Sequence, residues 1–223
     1  MVEHGRIWEA EIPLRTATEG TLKWAYLLSS EADFGPRYVE FSEALPDIGE
    51  LRSHERAKQL LEVCKGSEKA DLEPFRQLIL TDERVEDLRR RYPRKRRQEL
   101  EQAWSFSELI NSLSESTLMG ASLFPSLLHG YWSANQIAHA TFEGIMLPVE
   151  RQMRGSERRV AVTAAHSARI ISDCYSHCFL RLHIALRFAE ADLAPLKSRV
   201  RVHEGRFAAA QALWAIWRDL EYP

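Results

Sequence analysis

From Ser156 to Ala191, small and apolar residues recur at alternating steps of four and three: Ala164, Ala168, Ile171, Tyr175, Cys178, Leu182, Ala185 and Ala189. That spacing marks the seam of a long helix lying lengthwise against another helix, so it commits the rest of the chain to packing around a helical spine. The opposite side carries His166, Arg169, Asp173, His177 and Arg181 at the same kind of spacing, on a segment too apolar elsewhere to lie free in water. Such a polar row is either a functional site or a network that ties neighbouring helices together.

A chain of 223 residues with 45% hydrophobic content supports a real core, and the expectation is a single globular domain over residues 1–223. The formal charge of −2 excludes a uniformly basic nucleic-acid binder, so a polyanion could be met only by a local patch. Cys64, Cys174 and Cys178 are an odd and sparse set, which excludes a disulfide framework. No apolar run has the length of a membrane helix, because His, Arg and Asp interrupt the spine at each turn. The reading is a cytoplasmic, soluble protein.

Periodicity predicts a first helix over Arg6–Ser29, with Ile7, Leu14, Ala17, Thr21, Trp24, Ala25 and Leu28 on one face and Pro13 as a kink or restart. Phe34-Gly35-Pro36 reads as a turn, a short helix follows to about Ala44, and Leu45-Pro46-Asp47 reads as its end. Glu50–Cys64 is amphipathic. The charged stretch 69–102 reads as a helical hairpin projecting from the bundle and broken at Pro93. Trp104–Leu118 returns to apolar periodicity, and Gly130–Leu147 is compatible with loop, short helix or both. Asp192–Pro195 marks a turn before a closing helix, Leu196–Leu220, with Phe207, Ala210, Leu213, Trp214 and Trp217 facing inward. With no strand alternation, repeat or glycine-rich phosphate loop, the class is all-α, a bundle of seven or eight helices.

Leu14-Arg15-Thr16-Ala17-Thr18-Glu19, the aromatic-rich continuation with Lys23, Trp24 and Tyr26, and the later Ser126-Leu127-Leu128-His129-Gly130 resemble the bacterial helical domain-of-unknown-function family numbered 5677. The resemblance implies an early Arg and Glu one turn apart, here Arg15 and Glu19, and a later histidine, here His129, preceded by a small hydroxyl residue near Ser126. It implies a helical fold and brings no assigned activity.

Three constellations could carry chemistry. Arg15 and Glu19 share a helix face, and with His129 they form either a polar knot or a site in which Glu19 orients His129 as a general base and Arg15 holds an anion. On the spine, Asp173 and His177 make either an oriented acid–base pair or two ligands of a metal with Cys174, Cys178 or His183. No second ligand pair stands at matching spacing, so neither a metal nor any other cofactor is expected. Arg159 and His166, with six residues between them, resemble the Arg-to-His motif of the helical nucleotide-binding superfamily called HEPN. That resemblance implies metal-independent RNA cleavage, with a histidine moving the proton and an arginine holding the phosphate.

The strongest charge feature is Arg89-Arg90-Arg91-Tyr92-Pro93-Arg94-Lys95-Arg96-Arg97, in which seven of nine residues are basic. Arg90, Arg91, Arg94, Lys95, Arg96 and Arg97 are candidate contacts for RNA or another polyanion. The alternative is a solvated hairpin whose acidic neighbours, Asp82, Glu83, Glu86, Asp87, Glu99 and Glu101, form helical ion pairs. The functional expectation is a bacterial regulatory or interaction protein of a stress or phage-defence setting, homodimeric through a long helix; the alternative is a HEPN-like endoribonuclease.

Overall fold

The computed structural model describes residues 6–65, 71–115 and 127–222, apart from the side chains at 127–129, 204 and 206. Among the described residues the protein is all-helical and has no strand. The described residues form eleven α-helices: α1 (Ile7–Leu27), α2 (Glu31–Val39), α3 (Leu45–Val63), α4 (Glu73–Arg76), α5 (Asp82–Arg91), α6 (Arg94–Ala103), α7 (Phe106–Ser114), α8 (Leu127–Ala138), α9 (Phe142–Gln152), α10 (Ser156–Phe188) and α11 (Ala194–Glu221). A π-helical turn, Glu40–Ala44, joins α2 to α3. No described helix is long and apolar enough to cross a membrane.

The turn signals at Pro36 and Pro46 are absorbed rather than obeyed, and the first helix does not restart at Pro13. α1 runs through Pro13, α2 contains Gly35 and Pro36, and Pro46 occupies the first turn of α3. Pro46 follows the π turn inside a continuous helical run, so its missing amide leaves a carbonyl of that run without its helical partner. The count rises above the expected seven or eight because the charged stretch supplies α4, α5 and α6, and the mixed segment after Gly130 supplies most of α8 and all of α9. Pro93 does separate two helices, as the N-cap of α6.

The chain divides into two compact units, residues 31–108 and the remainder. In the unit formed by 31–108, α3 is the core element. Ala44, Ile48 and Leu100 make one apolar cluster, and Leu51, Val85 and Leu88 make another. The hairpin α5–α6 is therefore packed on α3 through its sparse apolar residues.

In the other unit, α1, α8, α9, α10 and α11 pack around one another, with α10 against both α1 and α11. α1 and α10 run parallel, since Glu11 meets Arg169, Thr18 meets His177 and Trp24 meets Arg181 in rising order. One cluster joins Ile7, Ala10 and Leu14 to Ile170; another joins Ala161, Val162 and Ala165 to Trp217. Two residues after α8, Ala140 turns the chain with a φ of 49°. Thr141 caps α9 by accepting from the Gly144 amide at 3.2 Å. Gly144 is buried where α9 crosses the last turn of α8: a Cβ there would stand 2.1 Å from the Gln136 carbonyl oxygen.

The spine is present, but its faces are exchanged relative to expectation. Ile171, Tyr175, Cys178 and Leu182 of the expected seam are exposed, whereas His166 and His177 of the polar row are buried. The polar side chains reach partners on α1 and α9, so burying them leaves most of their polar atoms satisfied. On α11, Trp217 is buried as expected, while Leu213 and Trp214 remain partly exposed.

Candidate functional site

Turning the polar row inward creates a cavity of about 580 Å³ inside the five-helix unit. α1 contributes Trp8, Glu11, Arg15 and Thr18; α9 contributes Arg151, and the turn after it Arg154; α10 contributes His166, Arg169, Asp173 and His177; α11 contributes Trp214, Trp217 and Glu221. The lining holds four arginines against three carboxylates, Glu11, Asp173 and Glu221. With neutral histidines this leaves one positive charge in excess.

The charges are unevenly paired. Arg169 bridges Glu11 and Asp173, with the Asp173 contact at 3.0 Å. Arg154 pairs with Glu221 at 2.6 Å and with Glu150 at 2.9 Å. Arg15 and Arg151 have no carboxylate partner among the described residues. Arg15 donates from Nη2 to the Tyr131 hydroxyl at 2.8 Å and lies 4.7 Å from that ring's centroid. Arg151 stands 4.6 Å from the Trp8 ring centroid and places Nη1 2.6 Å from His166 Nε2. The Nε atoms of both arginines are buried with no hydrogen-bond partner.

The contacts fix both histidine tautomers. A guanidinium can only donate, so His166 Nε2 is an acceptor and the ring carries its proton on Nδ1. Thr18 donates its one hydroxyl proton to the Leu14 carbonyl at 2.9 Å and therefore accepts from His177 Nε2 at 2.9 Å. Burial, reinforced by Arg151, Arg169 and Arg154, holds the His166 pKa down at about 3. Burial and Arg181 hold that of His177 at about 4. Both rings are neutral at pH 7. Burial also pushes the Glu11 and Asp173 carboxyls up, against the pull of Arg169, and burial lowers the pKa of Arg151.

Of the residues singled out from sequence, Arg15, His166 and His177 line this cavity, as does Asp173. Glu19 instead pairs with Lys23 at 2.8 Å. Arg159 is exposed and is not among the cavity residues, so the arginine on His166 is Arg151. His129 falls in the first turn of α8, and its side chain and Ser126 lie outside the described residues. Sequence reasoning passed over Glu11 and Arg151 and read Trp217 only as core; a helical-spacing signal reached only Glu11, one turn before Arg15, and Trp8, two turns before it. Arg181, at the end of the row, donates to Thr21 Oγ1 and to the Ala17 carbonyl and ties α10 to α1. No group of three His, Cys, Asp or Glu among the described residues could hold a metal ion.

The basic run on α5 and α6 is heavily paired within its own unit. Arg90 and Arg91 hold Asp87, and Arg91 also lies 3.7 Å from Asp47. Arg96 reaches Glu40 at 2.9 Å, and Lys95 stands 3.9 Å from Glu99. Arg94 and Arg97 lie beside Glu55 and Glu101 in a shallow depression. These acids come from α3 and the π turn as well as from the hairpin itself, which no local reading of residues 82–101 could show. No family profile, curated protein or solved structure matches the chain.

Proposed function

We propose that this chain is a regulatory protein of a bacterial stress or defence setting, whose five-helix unit responds to a small organic anion held in the cavity. One observation carries the reading: Arg15 and Arg151 face the cavity with no carboxylate paired to them among the described residues. A desolvated guanidinium lacking a counter-charge is costly, and a bound anion relieves that cost. The cavity volume lies in the range of small-molecule sites, and its polar groups come from several helices, as in bundle cofactor sites. A polar knot whose only role was to lock helices would balance its charges.

The two readings predict opposite effects for Arg15→Met. In a ligand site, removing an unpaired cation raises the melting temperature of the ligand-free protein by about 2–4 °C and reduces stabilisation by anions. In a knot, the same change lowers it. Thermal unfolding of both proteins with and without succinate, citrate, benzoate and phosphate decides. A lower melting temperature for the variant, with no anion effect on either protein, removes the proposal.

The contact of Arg151 with His166 favours one second reading, RNA cleavage by the HEPN-like pairing of an arginine and a histidine. Total RNA incubated with the protein, with and without EDTA, beside Arg151→Ala and His166→Ala, tests it. Cleavage that survives EDTA and is lost in both variants supports a nuclease. Equal backgrounds in all three remove it. Retention of the same RNA at low and physiological salt reads any contact through the basic run, whose internal ion pairs favour loss at the higher salt.

A further inference from the structure

Buried polar atoms without a partner among the described residues occur elsewhere in the lining, at Arg15 Nε and Glu221 Oε2, but beside Trp217 three donors on neighbouring side chains share that lack: Arg151 Nε–H, His166 Nδ1–H and Trp217 Nε1–H. His166 links them, since Arg151 lies 2.6 Å from its Nε2 and the Trp217 ring centroid is 5.9 Å from its own. His166 and Trp217 are 9% and 8% exposed, so water does not readily serve these donors. Buried donors in folded proteins are almost always satisfied, and three missing acceptors on adjoining groups call for one shared acceptor.

We propose that Arg151, His166 and Trp217 form the anion subsite of the cavity and hold the carboxylate of an organic acid whose apolar body lies along Trp8, Leu147 and Trp214. This rests on the ligand reading above and specifies its chemistry. The acceptor must be an oxyanion, because all three unsatisfied groups donate and one is a cation. A carboxylate suits the single excess positive charge of the lining better than a dianionic phosphate. Arg151 spends Nη1 on His166 and keeps Nε–H for the ligand. His166, neutral with its proton on Nδ1, can donate without carrying charge. The large apolar share of the lining requires a body larger than a free inorganic anion.

Isothermal titration of the full chain with benzoate tests the assignment, with phenyl phosphate and inorganic phosphate as comparators. Benzoate is expected to bind more tightly than either. Arg151→Lys, which keeps the charge but loses the fork, should weaken it about tenfold or more. Trp217→Phe, which keeps a ring and removes only the donor, should weaken it about fivefold. Proton NMR supplies a readout that a merely structural role would not move: the His166 Nδ1 proton should shift downfield on benzoate addition in the wild type, and not at the same benzoate concentration in Arg151→Lys. Binding lost in Arg15→Gln but unchanged in Arg151→Lys and Trp217→Phe overturns this subsite and leaves the ligand reading standing. A preference for phosphate overturns the carboxylate class. No benzoate binding at about 10 mM overturns the subsite outright, while the anion series above still judges the ligand reading.

Discussion

Lowering the pH from 7 toward 4 is expected to unfold the five-helix unit, through His166 and His177. Each has a folded pKa below its unfolded value of 6.5, about 3 for His166 and about 4 for His177. Above pH 6.5 neither state holds the extra proton, and the stability of the neutral buried rings is fully present. As pH falls below 6.5 the unfolded chain takes up protons that the folded protein refuses, so the unfolding free energy declines until the folded pKa is reached. The shift corresponds to roughly 3 kcal/mol for His177 and roughly 5 kcal/mol for His166. Against a typical total of about 5–15 kcal/mol this is a large fraction. Glu11 and Asp173 act in the opposite sense, because their carboxyls are pushed up in the folded state and they favour folding at the acid end of the same window. Denaturant unfolding followed by tryptophan fluorescence at pH 7 and pH 5 measures the slope. His177→Gln should remove about a third to a half of it, and an unaltered slope in that variant would falsify the assignment.

Gly144→Ala is expected to destabilise the same unit by about 3 kcal/mol, at the upper end of overpacking costs. The added methyl would meet the backbone of α8 at 2.1 Å from the Gln136 oxygen, 2.4 Å from its carbonyl carbon and 2.7 Å from the Ile137 nitrogen. A flexible side chain could step aside from such a contact, but backbone inside a helix cannot. The hairpin would have to open, and with it the Thr141 cap and the position of Arg151 about two helix turns further along α9. Gly130→Ala is the control, since a Cβ at that position meets nothing within 4 Å. Equal urea midpoints for the two variants would refute the close crossing.

The sequence made the helical class and the extent of α10 legible, because a 33-residue amphipathic pattern leaves little else to form. It did not reveal which side of α10 turns inward. Periodicity separates an apolar face from a polar one but does not count the partners waiting on other helices. Arg169 and His177 are buried or half-buried because α1 brings Glu11 and Thr18 to them, and His166 because α9 brings Arg151. The same limit explains the cavity. Arg15 and the spine histidines stood out by spacing, whereas Arg151 lies after Pro148 in a segment whose pattern was mixed. Trp217 was readable as core, yet its unpartnered indole N–H appears only once its neighbours are placed. Proline and glycine misled at Gly35-Pro36 and at Pro46, because tertiary packing outweighs a local preference.

The π turn between α2 and α3 makes the unit tolerant of chain length at one place. Val39 and Leu45 on either side have ordinary right-handed helical dihedrals, and the Leu45 amide reaches back to the Glu40 carbonyl. The whole run from Glu31 to Val63 is thus one helical rod carrying a surplus residue. A π turn takes about one residue more than an α turn for nearly the same rotation, so excising one residue of this window would let the rod close into uninterrupted α-helix with Glu31–Val39 still in phase with α3. Only the window's own contacts are at stake: Ala44 on Leu100, and Glu40 on the Trp104 indole at 3.1 Å and on Arg96 at 2.9 Å. Loss of one codon here is therefore absorbed locally, whereas the same loss in the regular helix of α3 would turn one end of the rod against the other by about 100°.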